Sequence, residues 1–193
     1  MNDKEYFVVY ANYPIIDNHQ KHLSFLKSYS LCDVWGTRRE IRLDENLILD
    51  SDEIERQRNS LFNEILTQIT AGTSFFKIVG FQKIIEEVNQ YRPAVRYGLS
   101  KDTKGNEILT RNEYGIPDFK VPHGSNLFVL ACHSLISFLS VKGNRRRIKQ
   151  CPYCKLFFIA KDAKRKICYK PICKNKYHRD DMRKRREDDV DYR

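Results

Sequence analysis

The 193-residue chain reads as an α+β protein: a mixed helix-and-hairpin domain over residues 1–144, followed by a small metal-stapled module over 145–193. Three observations carry that prediction. Apolar residues recur at helical spacing in some N-terminal stretches and alternate in others. Four cysteines fall in the last quarter as two close pairs, Cys151/Cys154 and Cys168/Cys173. The charge is also divided. Residues 1–141 hold 16 Lys and Arg against 18 Asp and Glu, whereas 142–193 hold 19 against 7, so the formal excess of +10 lies in the cysteine-bearing end. At 41% hydrophobic and 12% aromatic residues the chain can bury a core, which argues against global disorder. No apolar run has the length of a membrane-spanning helix, so no membrane partner is expected.

Taken in order, Tyr6-Phe7-Val8-Val9-Tyr10 is rich in β-formers and predicts a strand. Residues 17–31 carry His19, Leu23, Leu26 and Tyr29 at helical spacing behind Asp17 or Asn18 as a cap. Ile41–Leu43 and Leu47–Leu49 are short strand candidates. Asp50 followed by Glu53 resembles a capping pair for a helix over 51–70, with Ile54, Leu61, Ile65, Leu66 and Ile69 inward. A helix over 81–90 follows Gly80, with Phe81, Ile84, Ile85 and Val88 as its apolar face. Val95–Leu99 and Glu107–Thr110 flank the polar stretch Lys101–Asn106, the pattern of a β-hairpin. Residues 111–124, with Pro117 and Pro122, read as an irregular loop. From Ser125 as cap, Leu127–Val141 is apolar on nearly all sides and predicts a central buried helix. Gly143-Asn144 ends it. Six carboxylates between Asp44 and Glu55 suit a helix N-terminus; docking onto a basic surface is the alternative use.

The cysteine pairs are the most specific signal. Each pair is short enough to offer both sulfurs to one ion, and the thirteen residues between them let the chain return to it. A redox dithiol needs one pair beside a βαβ unit, not two pairs within 25 residues. A disulfide framework belongs to an oxidising compartment. The start, Met1–Glu5, has no apolar stretch behind it, so a cytoplasmic, reducing setting with free thiols is expected. Cys32 and Cys132 lie in apolar contexts and read as buried residues. Four thiolates close a tetrahedron and leave no position for water, so the expected cofactor is a structural zinc without a catalytic role. His178 is the nearest other ligand type and is expected to face solvent or phosphate.

Within the module, Cys151-Pro152-Tyr153-Cys154 predicts a tight knuckle, Leu156–Ala160 a strand, Lys161–Arg165 a turn, and Lys166–Tyr169 the returning strand. Pro171 precedes a helix that starts near Cys173 and runs to about Glu187. A last ligand in the first turn of a helix makes the module treble-clef-like. Its small core needs the metal, worth about 10–16 kcal/mol for structural zinc. On that helix Lys176, Arg179, Arg183 and Arg186 share one stripe, and Lys174, Arg185 and His178 lie on an adjacent one. Tyr177 is expected to pack on the knuckle above Phe158. The linker adds Arg145, Arg146 and Arg147, and the turn adds Lys161, Lys164, Arg165 and Lys166. Such a field draws polyanions, and arginines pair bidentately with phosphate. These twelve helix, turn and linker cations, Arg185 apart, are the candidate nucleic-acid contacts, with DNA favoured over RNA.

The segment Cys151-Pro-Tyr-Cys154 … Phe158 … Ile167-Cys168 … Cys173-Lys174-Asn175-Lys176 resembles the CGNR-type zinc finger. In that bacterial family the last ligand Cys is followed by Gly-Asn-Arg and a basic helix, usually behind a larger region called ABATE, a stress-induced transcriptional regulator. Lys174 stands in place of the motif Gly, Lys176 in place of the Arg, and Ile167 where that family often has Trp. The match covers residues 145–187. The resemblance implies zinc on Cys151, Cys154, Cys168 and Cys173, a nucleic-acid role and no catalytic activity. The leading expectation is a zinc-dependent nucleic-acid-binding protein acting in bacterial transcription regulation, its N-terminal domain taking a small-molecule or protein signal. An RNA- or protein-interaction module is the alternative. An HNH-like nuclease is a further one, for which the module lacks the paired histidines that would hold a second metal.

Overall fold

A computed structural model describes residues 6–13, 30–32, 38–40, 56, 58–91, 95–113 and 127–188. Among these residues it is α+β, with helices accompanied by three two-stranded antiparallel sheets. The chain divides into two compact units, Met1–Arg145 and Arg146–Arg193.

The first element corrects the sequence expectation. Tyr6–Asn12 is a helix, α1, not a strand. Tyr6, Phe7, Val9, Tyr10 and Ala11 are all buried, so the short apolar run is a core segment whose period carries no strand signal. α1 packs against the apolar helix α4, Leu127–Leu139. A first-turn N–H has no partner within its own helix; that of Phe7 donates to the Ser134 hydroxyl of α4 at 3.2 Å. Tyr10 meets Phe62 edge-on at 5.1 Å, and Phe7 meets Phe138 at 5.4 Å.

Ser30–Cys32 (β1) and Arg38–Glu40 (β2) pair antiparallel, Ser30 opposite Glu40, so the helix expected over 17–31 does not reach its last two residues. The rest of that stretch, the strand candidates at 41–43 and 47–49, the acidic run at 44–55, most of the loop at 111–124 and the cap at Ser125 lie outside the described residues.

The helix expected over 51–70 is seen as a π-helical turn, Arg58–Phe62, continuing into α2, Asn63–Thr70. Ile65, Leu66 and Ile69 are buried as their spacing required. A 3-10 turn, Phe75–Lys77, leads to α3, Phe81–Tyr91. Gly80, at φ 80°, joins them; the left-handed backbone favours glycine, and a Cβ there would also push the tip of the Leu61 side chain aside. Phe81, Ile84, Ile85 and Val88 are buried on one face of α3.

The hairpin forms as expected and runs longer: Val95–Lys101 (β3) pairs with Glu107–Glu113 (β4), Lys101 opposite Glu107. Its turn is organised by the Asp102 carboxylate, which accepts from the Lys104 and Asn106 N–H groups at 2.9 and 2.8 Å. Asn89 of α3 closes the outer edge of β3: its side-chain amide donates to the Tyr97 carbonyl at 2.9 Å and accepts from the Tyr97 N–H at 2.8 Å. α4 is buried nearly all round, Cys132 included. Past it, Asn144 donates to the Phe138 carbonyl, tying down the helix end.

In the second unit Ile148–Gln150 (β5) pairs with Phe157–Ile159 (β6), and Pro171–Asp188 forms the long helix α5. The sequence placed the partner of 156–160 at 166–169. The partner is instead β5, on the N-terminal side of the knuckle, and 166–169 is not strand. A strand pairs with its neighbour across the shortest closed turn, and here that turn is the knuckle itself.

Candidate metal centre

The first cysteine pair is set by backbone bonds. The Cys151 N–H donates to the Leu156 carbonyl and the Lys155 N–H to the Cys151 carbonyl, each at 2.9 Å. Lys155 adopts φ 58°, a left-handed conformation that reverses the chain, and the Gln150 side chain donates to its carbonyl at 3.0 Å. The second pair is set by α5. Pro171 opens the helix where a missing N–H costs nothing, and Cys173 follows in the first turn.

The four sulfurs of Cys151, Cys154, Cys168 and Cys173 lie within 4.8 Å of one another. Sγ of Cys154 and Cys168 are 3.7 Å apart. Metal–sulfur bonds of about 2.3 Å in a tetrahedron place sulfurs about 3.8 Å apart, so the donor set fits a tetrahedrally coordinated ion. Cys151, Cys168 and Cys173 are buried with Phe158 and Ala160 in one small core, with Cys154 and Tyr153 half-buried against it. The cysteines are free thiols. His178 is exposed, its ring beside Tyr177, and the sulfur set is complete without it.

Electrostatics favour a cation here. Burial would raise the Cys151 thiol, but the N–H groups of Cys154, Cys168 and Tyr153 outweigh it and bring the thiol to about 6. Burial and the crowding of the other three sulfurs push Cys173 up to about 12. Cys151 is thus ready to ionise while Cys168 and Cys173 resist a second negative charge, a conflict that a divalent cation resolves.

Supporting roles that the sequence did not reveal hold the second pair. The Arg165 guanidinium lies 3.9 Å over the Tyr169 ring and donates to the carbonyls of Ile167 and Cys168 at 2.8 and 3.3 Å. Tyr169 stands edge-on to Phe158, the place expected for Tyr177, and its hydroxyl accepts from the Lys161 N–H. Tyr177 is exposed. The Tyr153 hydroxyl of the knuckle donates to the Asp180 carboxylate of α5 at 2.8 Å. These links run mostly to backbone groups or tie the knuckle to α5, and no spacing rule announces them.

The candidate phosphate contacts divide. Arg146, Lys161, Lys164, Lys166, Lys174 and Lys176 are exposed, as are Arg179 and Arg186, and none has a side-chain partner among the described residues. Arg183 is exposed and lies 3.9 Å from Asp180 and 3.8 Å from Glu187; Arg185 pairs with Asp181 at 3.0 Å. Such surface pairs are weak, about 0–1 kcal/mol, and yield readily to a phosphate. Three expected contacts are committed elsewhere. Arg165 braces Cys168. Arg147 donates to the Ala160 carbonyl at 2.9 Å. Arg145 is half-buried in the first unit, 4.2 Å over Phe75, facing Glu107 at 3.9 Å and donating to the Thr73 carbonyl.

No helix among the described residues is long and apolar enough to cross a membrane. No family model matches the chain, and no curated protein matches it.

Proposed function

We propose that the protein is a zinc-dependent nucleic-acid-binding protein, DNA-directed in preference to RNA, working as a bacterial transcriptional regulator of the CGNR zinc finger type. The ion is zinc and its role is structural: four thiolates with no fifth donor suit a redox-inert tetrahedral cation. The observation that carries the reading is the placement of a basic, exposed helix directly on a four-sulfur cluster, with Cys173 in its first turn. The metal then supplies rigidity, and the helix and the 161–166 turn supply charge.

A gel-shift series with sequence-matched DNA and RNA, with and without chelator, tests this. Zinc-loaded protein is expected to bind DNA and to lose binding on chelation. With about five phosphates neutralised, log K should fall against log salt with a slope of about −4 to −5. Binding that ignores both salt and chelator, or a purified chain carrying no zinc, contradicts the proposal.

A further inference from the structure

We infer that α5 docks lengthwise in the major groove of duplex DNA, with Arg179 and Lys174 on opposite phosphate walls and Asn175 and Met182 against the base edges. This rests on the nucleic-acid reading above and goes beyond it in naming the partner's form and the residues that read sequence.

The inner side of α5 is fixed by two observations. Cys173 is buried in the sulfur cluster, and Asp180 accepts the Tyr153 hydroxyl bond. The two lie about 20° apart around the helix, so they mark a single attached side. About 100° to one side runs the stripe of Lys176, Arg179, Arg183 and Arg186, and about 100° to the other lie Lys174 and Arg185. Both flanks are exposed. Between them, opposite the metal ligand, sit Asn175, His178 and Met182, exposed and without formal charge. Acidic side chains are kept off this outward strip: Asp180 faces the knuckle, and Asp181 and Glu187 are paired with flank arginines.

This arrangement selects the partner. Two cationic flanks with an uncharged strip between them match a channel with a phosphate wall on each side. The major groove of B-DNA is about 12 Å wide and admits a helix about 10–12 Å across. From Cys173 to Arg186 the helix extends about 20 Å, long enough to follow that groove across several base pairs. A-form RNA offers only a deep, narrow major groove that a helix cannot enter, and a shallow minor groove that would engage one flank. Asn175 has the amide that pairs with adenine in the major groove, and Met182 the apolar surface that suits a thymine methyl. An exposed methionine in so polar a helix has no other surface to cover among the described residues.

The test uses the zinc-loaded full chain in selection from a random duplex library, followed by titration of the recovered duplex and of the same sequence as an RNA duplex. The parent is expected to recover a motif containing A·T pairs and to bind the RNA duplex at least about tenfold more weakly. Asn175→Ala should reduce discrimination at one adenine about tenfold while leaving the salt slope and zinc content unchanged. Lys174→Ala and Arg179→Ala should each weaken binding to every sequence and make the slope shallower. A parent that recovers no motif, an Asn175→Ala and Met182→Ala pair that both select as the parent does, or equal binding of the RNA duplex overturns groove docking while leaving the nucleic-acid reading intact. Failure to bind any nucleic acid overturns that reading and this inference together.

Discussion

The side chains that decide the second unit are the four cysteines, and their substitution has a calculable consequence. Losing one of four thiolates forfeits most of the about 10–16 kcal/mol that structural zinc contributes. Cys168→Ser is therefore expected to abolish zinc retention in metal analysis of the purified chain, while Cys132→Ser leaves it unchanged. Cys132 is wholly buried and its thiol is held well above its ordinary range by that burial, which makes it a packing residue. Arg145 is the other instructive residue. Its cation–π and carboxylate contacts lie within the first unit, so Arg145→Ala should lower thermal stability by about 1–2 kcal/mol, where exposed Arg146→Ala should not. Arg145→Ala should leave DNA affinity at fixed salt unchanged, because that guanidinium is already engaged.

Glu107 gives the same network a pH signature. Burial alone would raise its carboxyl, but the Ser74 hydroxyl, the Phe75 N–H and Arg145 more than offset this and hold it below the ordinary 4.5. A carboxyl lowered in the folded state contributes stability that is present above pH 4.5 and is lost as pH falls through the lowered value. Denaturant titrations from pH 7 to pH 3 should show that loss, and Glu107→Gln should flatten it. An unchanged profile in Glu107→Gln would mean that another acid carries the dependence.

Among the elements, α5 is unusual because its exposed length is mostly polar and only its first turns are attached. A helix of that kind owes its order to its ends and its partner, not to a buried face. The Tyr153–Asp180 bond extends the attachment by two turns beyond Cys173. Tyr153→Phe removes that donor without touching a sulfur, and should loosen the helix locally. Amide hydrogen exchange is the direct measurement: protection should fall over residues 178–187 while residues 151–159 keep theirs. Equal protection in parent and variant would show that the cluster alone orders the helix. The hairpin β3–β4 makes the opposite case. Its turn chemistry and alternation are local, and Asn89 closes its edge, so it should be unaffected by events at the metal.

For the whole molecule, the division at Arg145/Arg146 separates a unit with its own apolar core from one whose core is largely sulfur. A core of helices α1 to α4 is held by burial, whereas a cluster of three cysteines, Phe158 and Ala160 is too small to order its unit unaided. Chelation is expected to collapse the dispersed NMR signals of residues 146–188 and to spare those of 58–91 and 127–139. Loss of dispersion throughout the spectrum would place the metal inside the stability of the larger unit.

How much of this was legible from residues alone follows from the range over which each feature is determined. The cysteine spacing, the charge division, the hairpin around Asp102–Asn106 and the inward faces of 63–70, 81–91 and 127–139 are written in neighbours a few positions apart, and reading them in sequence sufficed. Tyr6–Tyr10 was not legible, because a short apolar run looks the same in a strand and in a buried helix, and packing against α4 decided it. The partner of β6 was decided by closure of the knuckle, and the split of the basic residues into exposed and committed sets by contacts that no pattern announces: Arg145 with Phe75, Arg147 with Ala160 and Arg165 with Tyr169. Sequence by itself determined that four sulfurs would meet within a basic module. Tertiary structure alone decided which cations remain to face a partner, because a guanidinium is available only where nothing folded beside it has already taken its hydrogen bonds.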